Sequence, residues 1–554
     1  MLLVEIENKL KAGIKAAIDN SSQLDINLER EVDIEKPNDE SHGDYATNIA
    51  MVLAGQAGMP PRKIAEAIVA DFPELDIVSQ LDVAGPGFIN FKLTNHWLND
   101  VLLEILEQGS DYGASNVGAG EKVQVEFVST NPTGPLHVGH GRGAAVGDVL
   151  ASILTKAGFE VEREYYINNA GQQMEILGRS VAIRYQQLFD IEIELPEQAY
   201  VGDYITEIAQ KIKEKSADKY LVEAEAKDYD YFKEFAYQEI ISEIRADLND
   251  FGIEFDNWFS EQALHPEKIE AVITELKEQD YIYQKEGALW FESSQFGDDK
   301  DRVVIKEDGN PTYLAADIAY HKDKFERGFD QLINVWGADH HGYVARMKAA
   351  VEALGREASD LDVILVQIVN LLRDGKQVAM SKRAGEFITL KDVIDEVGKD
   401  AARYFYIMRN TDTHLDFDLE LAKKESTDNP VYYVQYAHAR ICSILAEAEK
   451  EGVDFKSIDE IDLNCLEVDE EIALIKKLAA FPLEIAKSAQ SKAPHHITRY
   501  ADQLANLFHK FYNKCHVLID NQELMQARLQ LVRATKTVLV NLFEILGVNA
   551  PESM

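Results

Sequence analysis

The sequence is poor in cysteine, has no long apolar run and is short of positive charge. Three of its 554 residues are cysteine, Cys442, Cys465 and Cys515, and none forms a Cys-x-x-Cys pair. That excludes a disulfide-stapled scaffold, fits a reducing compartment and leaves no cysteine cluster for structural zinc. Charges at Glu5, Glu7, Lys9 and Lys11 interrupt the N-terminus before a signal-peptide core can form. No stretch approaches the roughly 20 apolar residues of a membrane span. A soluble, cytoplasmic protein with no membrane partner is expected. Basic residues number 56 against 97 acidic, a net charge of −41, which excludes a histone-like grip on DNA or RNA. The deficit is uneven. Residues 191–260 hold 18 acidic and 7 basic side chains, whereas residues 491–540 hold 3 and 7.

What is present is enough apolar material for several cores, 46% hydrophobic and 9% aromatic. Leu3, Ile6, Leu10, Ile14 and Ile18 recur at helical spacing, and strand patterns near 77–93 complete an α+β unit that closes around residue 115. From Lys122 the pattern changes to strand, glycine-rich turn, helix and strand, a βαβ unit that implies a parallel sheet. Its helix has an apolar side of Val146, Val149, Leu150, Ile153 and Leu154. Residues 191–260 read as a helical, solvated insertion. The sheet pattern resumes with ALWFES, RVVIKEDG, QLINVWG and VILVQIV, and an all-helical part starts near Asn429.

Two loops carry candidate chemistry. Asn131, Pro132, Thr133, Gly134, Pro135, Leu136, His137, Val138, Gly139 and His140 join the first strand of the βαβ unit to its helix. A helix N-terminus there suits a triphosphate, glycines admit close approach, and two histidines three apart share a face. The glycine register fits neither the dinucleotide nor the P-loop pattern. By itself the segment also reads as a turn before a helix of small residues. Much later, Met380, Ser381 and Lys382 follow a strand and a turn, ahead of a helix with Thr389 as N-cap and Asp392 in the capping-box position. A cation at a strand's C-terminal edge can neutralise charge on a phosphate, although a solvated loop has the same composition.

Taken together, His137-Val-Gly-His140 and Met380-Ser-Lys382 resemble the two signature motifs of class I aminoacyl-tRNA synthetases. VEFVSTNPTGPLHVGHGRGAAVGD, EYYINNAGQQ, NPTYLAADIAYH and VQIVNLLRDGKQVAMSKRAG resemble the arginyl branch of that class. HGDYATNIA is similar to its N-terminal domain and NPVYYVQYAHARICSIL to its anticodon-binding domain, so the likeness runs the length of the chain. One departure is Ala379, where the family's lysine motif begins with lysine.

The resemblance implies a Rossmann-type parallel-sheet catalytic domain with a helical insertion, an α+β N-terminal domain and an all-α C-terminal domain. The expected boundaries are 1–115, 116–428 with the insertion at 191–260, and 429–554. It implies an arginine–tRNA ligase whose partners are L-arginine, tRNA(Arg) and ATP with Mg2+, activating arginine as an adenylate. His137, His140 and Lys382 are its catalytic groups. ATP falls to His137, Gly139, His140, Gly337, Asp339, Met380, Ser381 and Lys382; arginine to Glu126, Asn131, His137, Tyr313 and Asp317. Tyr313 and Asp317, four apart, would share a helix face and grip the planar guanidinium. Asp339, His340 and His341 also look like metal ligands, but with no third spaced histidine a polar contact to substrate or ribose is preferred, and no metal site is expected. Asn168, Asn169 and Gln172 could meet substrate or the tRNA 3′ end. Tyr432, Tyr436, Arg440, Arg499, Lys514 and Arg528 are candidates for tRNA, since basic residues among aromatics suit phosphates and unpaired bases. That C-terminal pattern equally fits a helical bundle with surface lysines. A monomer is the default. The alternatives are a catalytically inactive tRNA-binding paralogue and a class I enzyme for another amino acid.

Overall fold

In a computed structural model of the chain, residues 2–24, 26–28, 30–37, 39, 42–378 and 388–554 are described. The loop bearing Met380, Ser381 and Lys382 lies outside them. The N-terminal part combines a three-stranded antiparallel sheet with the helix Leu2–Asn20, which is buried through Leu3, Ile6, Leu10, Ile14 and Ile18 and packs against the helices Pro61–Ala70 and His96–Gln108.

At the centre is a five-stranded, wholly parallel sheet. Its strands are β1 (Lys122–Glu126), β2 (Glu160–Ile167), β3 (Asn257–Ser260), β4 (Gln331–Gly337) and β5 (Leu361–Val366). Their spatial order is β5-β4-β1-β2-β3. The order reverses between β1 and β4, which opens a crevice at their C-terminal ends, where such sheets bind ligands. The crossover helix α1 (Val138–Lys156) buries the expected apolar side. Gly147 allows the close packing, because a Cβ there would lie 2.2 Å from the Phe127 ring.

The insertion is helical but not merely solvated. Helices α2 (Gln172–Gln187), α3 (Asp203–Ser216) and α4 (Asp230–Asp250) pack together, burying Phe232, Ala236, Ile240 and Ile244 of α4. Asn257–Ser260, inside the expected 191–260, belong to the parallel sheet. There Trp258 stacks on Tyr165 of β2, ring centroids 4.4 Å apart. A second difference concerns Ala288–Phe291 and Arg302–Ile305. They form a separate antiparallel sheet with Ile282–Lys285, and α5 (Tyr313–Glu326) follows them.

Beyond Asp418 the described residues contain helices and no strand. The long ones are α6 (Pro430–Lys450), α7 (His495–Lys514) and α8 (Gln522–Leu546). One fully buried side chain fastens this bundle to the sheet domain. Arg403 donates to Asp148 of α1 at 2.5 Å, to the Phe251 carbonyl after α4 at 3.1 Å and to the Leu546 carbonyl of α8 at 2.8 Å.

Candidate active site

The histidine loop enters α1 with His137 as N-cap in an extended conformation. His137 Nδ1 accepts the Gly139 amide at 3.1 Å, and His140 Nδ1 accepts the His137 amide at 3.1 Å. The two rings stack with centroids 3.5 Å apart. A ring nitrogen that accepts carries no proton, so in the neutral rings the proton sits on Nε2, and the Nε2 of His137 is buried. A Cβ on Gly139 would sit 3.0 Å from the His137 ring, so the glycine keeps the stack open to a ligand. Imidazole N–H groups and backbone amides suit phosphate oxygens. The loop contains no carboxylate for a metal ion.

Described residues flank the lysine loop on both sides. The Val378 amide donates to Leu371 at 2.8 Å. On the far side, Val138 donates to Ile388 at 3.1 Å and Leu390 to Leu136 at 2.8 Å, so the exit from the loop runs antiparallel to the histidine motif. Thr389 caps the following helix, with Asp392 completing the capping box.

Three carboxylates converge. Glu126 ends β1, Glu261 follows β3 directly, and Asp317 lies one turn into α5. Burial pushes the Asp317 carboxyl up to about 7; Glu261 and Glu126 add to the rise, against a hydrogen bond from Tyr343 and the charge of Lys324. Burial also raises Glu261, opposed by hydrogen bonds from Tyr166 and His265. Glu126 is buried and pairs with Lys324 at 2.6 Å. Burial disfavours the ionised forms of Asp317 and Glu261, and an incoming cation would stabilise them. Tyr343, Glu261 and Tyr166 are absent from the sequence-based set. Only position could have revealed them, since Tyr343 stands two residues past His341 in an already suspected loop and Glu261 at a strand end.

Other expected residues fall around this centre. Asn131 donates to Gln173 of α2 at 2.8 Å. Asn169 accepts from Ser260 at 2.9 Å, which ties the end of β2 to that of β3. Tyr313 opens α5 with its ring exposed, four residues before Asp317. Gly337 ends β4, and Asp339 stands exposed with His340 at 3.7 Å. Among the described residues no group of three or more histidine, cysteine or acidic side chains could hold a metal ion. Tyr204 of the insertion donates to the Thr133 carbonyl at 2.7 Å, so α3 touches the histidine loop; no sequence signal marked it.

On the helical bundle, Tyr432 and Tyr436 lie nearly parallel, 9° between planes. The Arg440 guanidinium sits 4.6 Å from the Tyr512 ring and 4.9 Å from that of Tyr436. Arg499 is exposed, and exposed Lys514 pairs with Glu470 at 2.7 Å. Arg528 departs from expectation. It is buried, pairs with buried Glu471 at 2.7 Å and donates to the His516 carbonyl at 2.7 Å, so it serves the core and not a ligand.

Three family models match successive parts of the chain. "Arginyl tRNA synthetase N terminal domain" covers residues 8–93, "tRNA synthetases class I (R), catalytic domain" 101–441 and "DALR anticodon binding domain" 434–554. The arginine–tRNA ligase of Syntrophotalea carbinolica is 51% identical over 526 residues, 95% of each chain. That of Carboxydothermus hydrogenoformans is 48% identical over 554 residues, the whole of both. The solved structure of Thermus thermophilus arginyl-tRNA synthetase is 21% identical and shares the fold, with a TM-score of 0.76 over 99% of this chain and 100% of that one.

Proposed function

The chain belongs to the arginyl-tRNA synthetase family of class I aminoacyl-tRNA synthetases, and from that premise we propose how its residues divide the work. It is an ATP-dependent arginine–tRNA ligase. The full-length likeness to arginine–tRNA ligases favours this over a paralogue without activity or an enzyme for another amino acid.

Arginine lies with its guanidinium toward Asp317, Tyr313, Tyr343 and Glu261 and its α-ammonium toward Glu126 and Asn131. ATP enters as its magnesium complex, the ion carried by the phosphates. His137 and His140 donate Nε2–H to phosphate oxygens, Gly139, Gly337 and Asp339 line the nucleotide, and Met380, Ser381 and Lys382 serve the leaving phosphates. The arginine carboxylate oxygen attacks the α-phosphorus and pyrophosphate departs. A hydroxyl of the tRNA's terminal adenosine then attacks the adenylate carbonyl and AMP leaves. No protein nucleophile is required; positioning and charge stabilisation lower the barrier. Residues 1–115 and the helical 429–554 hold the tRNA, the latter through Tyr432, Tyr436, Arg440, Arg499 and Lys514. The enzyme acts in the cytoplasm as a monomer.

The observation that supports this reading is the convergence of Asp317, Glu261 and Glu126, beside a sheet whose first crossover helix is capped by His137 and His140. It is tested by charging purified tRNA with each of the common amino acids in turn. Arginine alone should be attached, to its cognate tRNA; preferred attachment of another amino acid would overturn the reading.

A further inference from the structure

The underside of α5 holds a polar seam that substrate contacts do not explain. At one level of the sheet, four adjacent strands present Asn334, Glu126, Glu164 and Asn257, each paired across to the next. Helix α5 meets them with Tyr320, His321, Lys324 and Arg327 rather than an apolar stripe. Tyr320 and Arg327 donate to Glu164. Lys324, with no exposed surface, donates to Glu126 at 2.6 Å and to Asn334 Oδ1 at 3.4 Å, with its ammonium 4.2 Å from the Tyr320 ring centre. Asn334 Nδ2 faces His321 Nε2 at 3.0 Å, and His321 Nδ1 faces the Asp317 carbonyl at 2.8 Å. Burial holds His321 down at about 3, so it is neutral, accepting from Asn334 and donating to Asp317. An unbroken chain of bonds thus runs from Glu126 through Lys324, Asn334 and His321 to the backbone of Asp317.

Buried charges bring less stability than apolar side chains of the same volume, because desolvation offsets their attraction. What directional bonds supply instead is position. Asp317 and Lys324 lie seven residues apart, two turns on one face of α5. The ion pair with Glu126 therefore fixes where the guanidinium-facing carboxylate stands relative to the ammonium-facing one.

We propose that Lys324 is a positioning residue that sets the span between Glu126 and Asp317, and thereby the length of cationic side chain the enzyme accepts. This rests on the assignment of those two carboxylates to arginine. It is tested by ATP–pyrophosphate exchange with the full-length enzyme and cognate tRNA, comparing Lys324→Met, Lys324→Arg and Asp317→Asn, with arginine and homoarginine as substrates. Lys324→Met should raise the arginine KM about 10- to 100-fold, the scale of a small misplacement, while the ATP KM stays within about twofold. The ratio of kcat/KM for homoarginine over arginine should rise by about tenfold, since the span is no longer held. Lys324→Arg keeps the charge but lengthens the reach, so the arginine KM should move less while the homoarginine ratio still shifts. If Lys324→Met does not fold, the ratio in Lys324→Arg decides alone. A folded variant with unchanged arginine KM and unchanged ratio overturns the proposal, as does a matched rise in both the arginine and ATP KM. If Asp317→Asn also leaves the arginine KM untouched, the site assignment fails; if it alone raises the KM, only the role of Lys324 fails.

Discussion

Val138 donates its amide to the carbonyl of Ile388 at 3.1 Å, and that bond ties the histidine motif to the first described residue after the lysine loop. The motifs are more than 240 residues apart in sequence (Lys382 and His140 differ by 242). Lys382→Ala should therefore slow arginyl-adenylate formation by about 10²- to 10³-fold, the usual cost of one transition-state donor, with tRNA affinity nearly unchanged. Single-turnover adenylate formation and filter binding separate the two effects. A large loss of tRNA binding with intact adenylate formation would refute the role.

The Asp317 carboxyl, pushed up to about 7 by burial, gives arginine recognition a pH dependence. The guanidinium requires the ionised form. Affinity should be full above pH 7 and fall as pH drops through it, by up to about tenfold in arginine KM per unit. Because the folded-state value is raised, the protonated form favours the fold and that contribution is lost as pH rises from the ordinary carboxylate range through 7. Arginine should then raise the thermal midpoint more at pH 8 than at pH 6. Asp317→Asn should flatten the KM profile and raise the KM throughout, with little change for ATP. An unchanged arginine KM removes Asp317 from the site.

Two arginines of the helical bundle should part company. Arg528 is buried against Glu471, so Arg528→Ala should destabilise the protein by about 3–5 kcal/mol, seen as a lower denaturation midpoint. Arg440 lies over Tyr436 and Tyr512 at a half-exposed face. Arg440→Ala or Tyr436→Ala should cost about 1–3 kcal/mol of tRNA affinity with little loss of stability. Equal stability losses at both positions would contradict the assigned surface.

Much of this was legible in the sequence because the signals are local. Strand alternation ahead of a glycine-rich turn located β1 and α1. Thr389 and Asp392 announced their helix. Hidden features depend on distant partners. In the sheet strand Asn257–Ser260, Trp258 stacks on Tyr165, a contact no local pattern records. Tyr343 and Glu261 matter only because Asp317 is near them. Arg528 looked like a ligand for RNA because nothing in its own helix reveals Glu471, 57 positions earlier.

The charge distribution also predicts behaviour toward RNA. A net −41 with a local basic excess in residues 491–540 should give weak binding to random RNA and a shallow salt dependence for tRNA, since few phosphates are neutralised. A steep slope of log affinity against log salt would count against that account.

The central claim is that the crevice beside His137 and His140 activates arginine. It is tested most directly by arginine-dependent ATP–pyrophosphate exchange in the wild type, with and without cognate tRNA, beside Asp317→Asn. The account predicts exchange with arginine and with no other common amino acid, stimulated by tRNA and reduced at a given arginine concentration in Asp317→Asn. Strong exchange with a different amino acid, or none with arginine when tRNA is present, would contradict it.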